Sequence, residues 1–343
     1  MTTTAPPLLT VHSHEDLIAL APVLLGFWPR ESIVMLTLGS SRPFHGRLDL
    51  PPRDRLAHAG PHLFDDPLLH PALRHGARAV VLLYFTADHS TALAAHAVLR
   101  AGCARLGLPI AIAVVADGSR WADLEDTGGA PPVAYDAAGH PFVVAALASG
   151  RLRHASRADL VASLEPDPAA LDAVLDALVD AGHAPGSADG LPLGGRAVRA
   201  QGDWVVETVA RGVSDDGPPG PAVVARLVRM LQVPRVRDAA WSSIDRAGAG
   251  GHVRFWTSVL RATPDELAAP PATLLGWAAW QDGDGALAWS ALARAARGDP
   301  GYPLAADLAR LAAPRGPARG VARRVRLDAR PPVRRFLLVS GHG

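Results

Sequence analysis

Two carboxylates, a hydroxyl and an arginine stand where apolar runs give way to turns: Asp88 in Thr86-Ala87-Asp88-His89, and Asp117, Ser119 and Arg120 in Asp117-Gly118-Ser119-Arg120. An aspartate can act as a general base, and an arginine offers a planar fork to phosphate or carboxylate. The four residues together suit an anionic or hydroxylated small ligand. With Asp88 or Asp117 as base and Arg120 gripping an anion, they would also suit a metal-independent hydrolase or transferase. Plainer uses compete: Asp88 as the cap of a following helix, and Asp117-Gly118 as a turn. A second group is Trp28, Arg30, Arg47 and Asp49. Arg47 and Asp49 lie two apart on a strand and share a face, where they can pair. Trp28-Pro29-Arg30-Glu31 reads as a rigid turn carrying an aromatic and two charges, fit to define the fold or to anchor a partner.

Other chemistries are excluded. All 34 basic residues are arginine, and the chain has neither lysine nor asparagine. A phosphate-binding loop, a kinase strand lysine and Schiff-base or Ser-x-x-Lys chemistry are therefore ruled out. GC-rich codon usage accounts for the bias together with the excess of Ala, Gly, Pro and Arg. The histidine pairs His12/His14 and His58/His62 lack a scaffold that would make them metal ligands, since Gly60-Pro61 interrupts the second pair, and no metal or cofactor is expected. Asp282-Gly283-Asp284-Gly285 begins like a calcium loop, but position twelve is Ala293, so Asp284 is predicted to cap a helix. Gly248-Ala249-Gly250-Gly251 lacks a preceding strand, and no Gly-x-Ser-x-Gly elbow exists. The single cysteine, Cys103, sits in an Ala-rich helical pattern with no base beside it and reads as packing.

The elements that must position these residues are legible in outline. Ser13 with Asp16 resembles a capping box, and Leu17, Ile18, Leu20, Ala21, Leu24 and Leu25 follow helical spacing up to Gly26. Ser32 to Leu38 and Phe44 to Leu50 flank a Gly-Ser-Ser-Arg-Pro turn and read as antiparallel strands, the first central because it is almost wholly apolar. Ala77 to Thr86, Ser90 to Arg105 and Pro109 to Val115 give strand, helix, strand, the pattern of a parallel βαβ unit. Val133 to Tyr135 and Phe142 to Ala146 fit either an edge strand or a helix start.

From Ser156 onward the periodicity is helical: Ser156 to Leu164, Pro168 to Ala181, Trp204 to Arg211, Ala222 to Gln232, Arg235 to Arg246, His252 to Leu260, Ala272 to Trp280, Ala286 to Ala296 and Pro303 to Leu311. Ser187 to Gly202 and Ser214 to Gly220 are predicted connections. The expected fold class is α/β, a mixed sheet with a parallel βαβ unit, followed by a mostly α-helical C-terminal region. The expected divisions are an α/β domain over 1–150, a helical region over 151–313 and an arginine-rich, partly disordered tail over 314–343, with a short strand near Val333 to Val339 and Asp328 as its one acid. At 343 residues and 49% hydrophobic, the chain can bury substantial cores, and its net charge of +1 gives no global field for nucleic acid or membrane. The apolar windows Ala79 to Phe85 and Ile110 to Ala116 fall far short of the ~20 residues of a membrane span. The first seven residues do not read as a signal peptide, so a cytoplasmic protein is expected.

Leu24-Leu25-Gly26-Phe27-Trp28-Pro29-Arg30-Glu31-Ser32-Ile33-Val34, followed by Arg47-Leu48-Asp49-Leu50-Pro51, resembles the amino-terminal signature of domain-of-unknown-function family 4192. In that signature a helix ends at a Leu-Gly-Phe-x-Pro turn and a strand begins at the Ser. The likeness continues through Gly118-Ser119-Arg120-Trp121, Gly139-His140-Pro141 and Ser156 to Leu164. It resumes at Pro270 to Leu275, Gly283 to Ala288 and Asp299 to Ala305, covering most of residues 8 to 313. The resemblance implies a fold and no reaction. Where members of the family carry a small cysteine cluster, Gly128-Gly129-Ala130-Pro131-Pro132 stands here, so a function resting on those cysteines does not transfer.

These observations favour a non-catalytic module that binds a ligand or a protein partner. The alternatives are a metal-independent cytoplasmic enzyme acting on an anionic small molecule, and nucleic-acid association through the arginine-rich tail.

Overall fold

The computed structural model describes residues 10–40, 44–126, 128–182, 191, 194–214, 217–312, 323–328 and 335–340. The chain divides into two compact units, Met1–Arg157 with Pro314–Gly343, and Ala158–Ala313.

The first unit is built on a six-stranded mixed sheet. Its strands are β2 (Ser32–Leu38), β3 (His45–Asp49), β4 (Ala79–Phe85), β5 (Ile110–Ala116), β6 (Arg120–Asp123) and β7 (Val133–Ala134), with β1 (Thr10–Val11) lying outside this sheet. The order is β3-β2-β4-β5-β6-β7. Strands β4 and β5 are parallel, and every other neighbouring pair is antiparallel. The parallel pair is joined by α4 (His89–Arg105), as the strand-helix-strand pattern predicts. Strand β2 is buried along its whole length, which fits an apolar run hydrogen-bonded on both sides.

Alternation in β4 divides the interior in two. Val80, Leu82 and Tyr84 face a core shared with Leu99 and Cys103 of α4. Val81, Leu83 and Phe85 face one shared with Leu17, Ile18 and Leu20 of α1 (His14–Leu25). Helix α1 begins at the predicted capping box, where Asp16 N–H donates to Ser13 Oγ while Ser13 N–H donates to the Asp16 carboxylate. It ends at Gly26, whose φ of 75° is the left-handed C-cap geometry that glycine adopts without a Cβ penalty. Short helices α2 (Arg53–Ala57) and α3 (His70–Arg74), the latter preceded by a π-helical turn over Asp65–Leu69, connect β3 to β4. The two segments left open by periodicity resolve differently: Val133–Ala134 is the edge strand β7, and Pro141–Ala148 is helix α5.

The second unit is helical: α6 (Arg157–Ala162, beginning at the unit boundary), α7 (Pro168–Asp180), α8 (Gly195–Ser214), α9 (Pro221–Met230), α10 (Pro234–Ser242), α11 (Ala249–Arg261), α12 (Ala269–Asp282), α13 (Gly285–Gly298) and α14 (Pro303–Ala312). Helix α8 corrects one expectation. Residues assigned to a connection up to Gly202 form its first two turns from Gly195, because Arg196, Ala197, Arg199, Ala200 and Gln201 are good helix formers and Gly202 allows close approach to Ala239. Asp284 caps α13 by accepting the Leu287 N–H at 2.9 Å, as predicted.

In the tail, β8 (Arg323–Asp328) pairs antiparallel with β9 (Arg335–Ser340), and β9 pairs antiparallel with β1. Val333 and the arginines at 315, 319, 330 and 334 lie outside the described residues. Among the described residues no helix is long and apolar enough to cross a membrane.

Candidate functional site

Strand register assembles one edge of the sheet from distant sequence. Asp49 opposes Ser32, Ser32 opposes Phe85, Phe85 opposes Ala116, and Ala116 opposes Trp121. The start of β2 therefore lies level with the carboxyl ends of β3, β4 and β5, the side of an α/β sheet where ligands bind. The next residues outward are Leu50, Glu31, Thr86, Asp117 and Arg120, tied by hydrogen bonds from Leu50 N–H to Glu31 O at 2.7 Å and from Asp117 N–H to Arg120 O at 3.0 Å. Most of the two candidate groups thus meet on one edge.

Ser32 is the hub at the β2 end. Its Oγ accepts from Arg47 Nε at 3.0 Å and Nη2 at 2.6 Å, and its hydroxyl donates to the Arg30 carbonyl at 2.5 Å. Arg47 Nη1 pairs with Asp49 Oδ1 at 2.6 Å, and the guanidinium carbon stands 6.0 Å from the Phe27 ring centroid. Burial lowers the Arg47 pKa against the raising effect of Asp49. Arg157 reaches the other oxygen of Asp49 at 3.7 Å. The Ser32 hydroxyl proton is directed at the Arg30 carbonyl rather than at a base.

Glu31 has φ of 41°, the only described non-glycine residue with positive φ. A side chain there costs about 1–2 kcal/mol. The bend carries the Glu31 carboxylate across to Thr86, whose hydroxyl donates to its oxygens at 2.9 and 3.1 Å and whose Oγ1 accepts the Asp88 N–H at 3.0 Å. Glu31 appeared in the sequence only as a turn charge, and a left-handed position filled by Glu carries no compositional signal. Ser90, which accepts from Arg53 Nη1 at 3.1 Å, was likewise not legible as part of the edge.

Asp88 and Asp117 are both committed to hydrogen bonds within their own turns. Asp88 accepts from the Ser90 hydroxyl at 2.6 Å, the Thr91 hydroxyl at 2.6 Å and the Thr91 N–H at 3.1 Å, capping α4. Those bonds, the Ser90 hydroxyl foremost, hold its pKa well below the ordinary carboxylate range. Asp117 Oδ1 accepts from Ser119 N–H at 2.8 Å, Ser119 Oγ at 2.9 Å and Arg120 N–H at 2.7 Å, and the two backbone donors lower its pKa. A carboxylate stabilised in its charged form is a weak base. Ser119 is thus a turn residue held by Asp117. The Arg30 and Arg120 side chains are exposed, and among the described residues neither guanidinium has a hydrogen-bond or ion-pair partner. Trp28 does not join the edge group but packs against the cluster of Ala19, Val23, Val143 and Ala146.

Three of the four histidine rings are engaged elsewhere: His14 stacks on Trp121 with centroids 4.6 Å apart, His58 Nδ1 lies 2.9 Å from Asp54 O, and His62 Nδ1 lies 2.8 Å from Asp65 Oδ2. His12 donates its backbone N–H to Asp16 Oδ2 at 2.6 Å. Among the described residues no three His, Cys, Asp or Glu side chains are grouped to hold a metal ion. Cys103 is buried, and burial pushes its thiol up to about 11. At pH 8 the native protein should alkylate with iodoacetamide at least about a hundredfold more slowly than the unfolded chain, whose thiol has a pKa near 8.5. Equal rates would contradict the burial.

No curated protein and no solved structure matches the chain. The family model described as Domain of unknown function (DUF4192) matches residues 15–314, so the edge built from the Gly-Phe-Trp-Pro-Arg-Glu-Ser turn and the Arg47-Leu48-Asp49 strand belongs to a member of that family.

Proposed function

We propose that this protein is a non-catalytic binding module that receives an anionic ligand, or an anionic group of a partner, at the carboxyl edge of its sheet. One observation carries the reading: the groups there that could react are already spent on hydrogen bonds within their own turns, while the two exposed guanidinia of Arg30 and Arg120 have no hydrogen-bond or ion-pair partner among the described residues. Such an edge is suited to hold phosphate or carboxylate and poorly suited to move a proton. Asp88 and Asp117 serve this reading as supports for the α4 and β5–β6 turns rather than as bases. A cytoplasmic location is part of the proposal, in keeping with a single buried thiol.

A thermal-shift series with inorganic phosphate, sugar phosphates, nucleotides and dicarboxylates tests it. A compound present at 100 times its dissociation constant should stabilise the protein by about 2.7 kcal/mol. Arg120→Ala should remove most of that shift while leaving the unliganded melting temperature within a degree or two, since the guanidinium makes no internal bond. If no anion shifts the wild-type protein, or if shifts survive in both Arg30→Ala and Arg120→Ala, the reading is wrong.

A further inference from the structure

A polar chain crosses the interior of the first unit away from the carboxyl edge. Tyr84 of β4 is fully buried, and its hydroxyl lies 3.2 Å from His96 Nδ1. His96 of α4 is 4% exposed, and its Nε2 lies 2.7 Å from Glu125 Oε1. Glu125 stands in the turn leaving β6, with its side chain 42% exposed. A carboxylate can only accept, so Nε2 carries the proton and donates to Glu125, which leaves Nδ1 to accept from the Tyr84 hydroxyl. Every member is satisfied when His96 is neutral. A proton on Nδ1 would turn that acceptor into a donor and leave the buried Tyr84 O–H without one.

We propose that Glu125, His96 and Tyr84 form an acid-sensitive latch, which fastens the Leu124–Asp126 turn to α4 while His96 is neutral and releases it when His96 takes up a proton. The charged neighbours oppose one another: Glu125 and Asp123 favour protonation, and Arg100 on α4 disfavours it. Tyr84 and Cys103, facing the chain from β4 and α4, are held neutral by burial. Burial is the largest influence and lowers the His96 pKa below its ordinary 6.5. The sign follows. The closed turn resists the proton, whereas the open turn exposes His96 to water and binds it at about pH 6.5. Closure is therefore fully favoured above pH 6.5 and weakens as pH falls below it.

Hydrogen exchange of the intact protein, corrected for intrinsic rates, reads this directly. The Leu124 N–H donates to Ala113 O at 2.8 Å and the Glu125 N–H to Asp123 Oδ1 at 2.8 Å, so both amides report the turn. Between pH 7.5 and 5.5 their protection should fall by up to about tenfold, the change in open population for a group titrating near 6.5. Amides of β4 should keep theirs. His96→Gln preserves one donor and one acceptor without a titrating ring, and should abolish the pH dependence. Should that variant not fold, Glu125→Ala at the surface decides: the turn should lose protection already at pH 7.5. A wild-type change below twofold, an equal loss across β4, an unaltered pH dependence in His96→Gln, or wild-type protection in Glu125→Ala would each overturn the latch.

Discussion

Phe27→Ala should destabilise the sheet-containing unit by about 3–5 kcal/mol, the usual cost of emptying a buried aromatic site. Phe27 is 2% exposed and sits where α1 hands over to β2. Its neighbour Gly26 accepts N–H bonds from Arg153 and His154 at 3.2 and 3.3 Å, and Phe27 itself bridges to His154. The ring also lies under the Arg47 guanidinium. Removing it leaves a cavity and takes the apolar floor from a partly buried cation. Urea titration followed by far-ultraviolet circular dichroism would measure the loss. Phe27→Leu, which refills most of the volume, should recover more than half of it. A Phe27→Ala cost below 1 kcal/mol would mean that the turn is held by its backbone bonds alone.

Trp256→Ala should cost the helical unit a similar ~3–5 kcal/mol, because Trp256 is fully buried on α11 and packs edge-on to Phe255 at 4.9 Å. The informative control is Trp256→Phe. Among the described residues the indole Nε1 has no hydrogen-bond partner, and an unsatisfied buried donor itself costs about 1–3 kcal/mol. Phenylalanine removes that donor while it loses volume, so the two effects offset and the variant should fall within about 1 kcal/mol of wild type. A Trp256→Phe loss as large as the alanine loss would show that the indole N–H is bonded after all.

What the sequence discloses and what it hides follow from the range of the interactions. The capping box at Ser13 and Asp16, the apolar run of β2 and the strand-helix-strand pattern around α4 are local, set by neighbours within a turn or by alternation, and all three are legible. The pairing of Arg47 with Asp49 follows from two-residue spacing on a strand. The carboxyl edge is different: it requires knowing that β2 lies between β3 and β4 with Ser32 level with Phe85, and no periodicity specifies strand order. Asp88 and Asp117 were visible as candidates, yet their commitment to N–H groups two and three residues onward is equally local and was readable as the competing assignment. The start of α8 was hidden because glycine and arginine around Gly195 look like a connection until Gly202 is seen to pack against Ala239. The interior chain was the least accessible, since its members are 12 and 29 residues apart and each alone reads as an ordinary core or surface residue.

The Tyr84 hydroxyl also bears on how the strands find their alignment. Sliding β4 by one residue against β2 and β5 would exchange its two faces. Tyr84 would then enter the layer lined by Leu17, Ile18 and Leu20, away from the His96 imidazole that accepts its hydrogen bond. The aliphatic residues of β4 are similar enough on both faces to tolerate such a slip, but burying an unpaired hydroxyl among leucines would cost about 1–3 kcal/mol. One oxygen atom thus marks which side of an otherwise nearly symmetric strand is which, and it penalises the misaligned sheet once that face is packed.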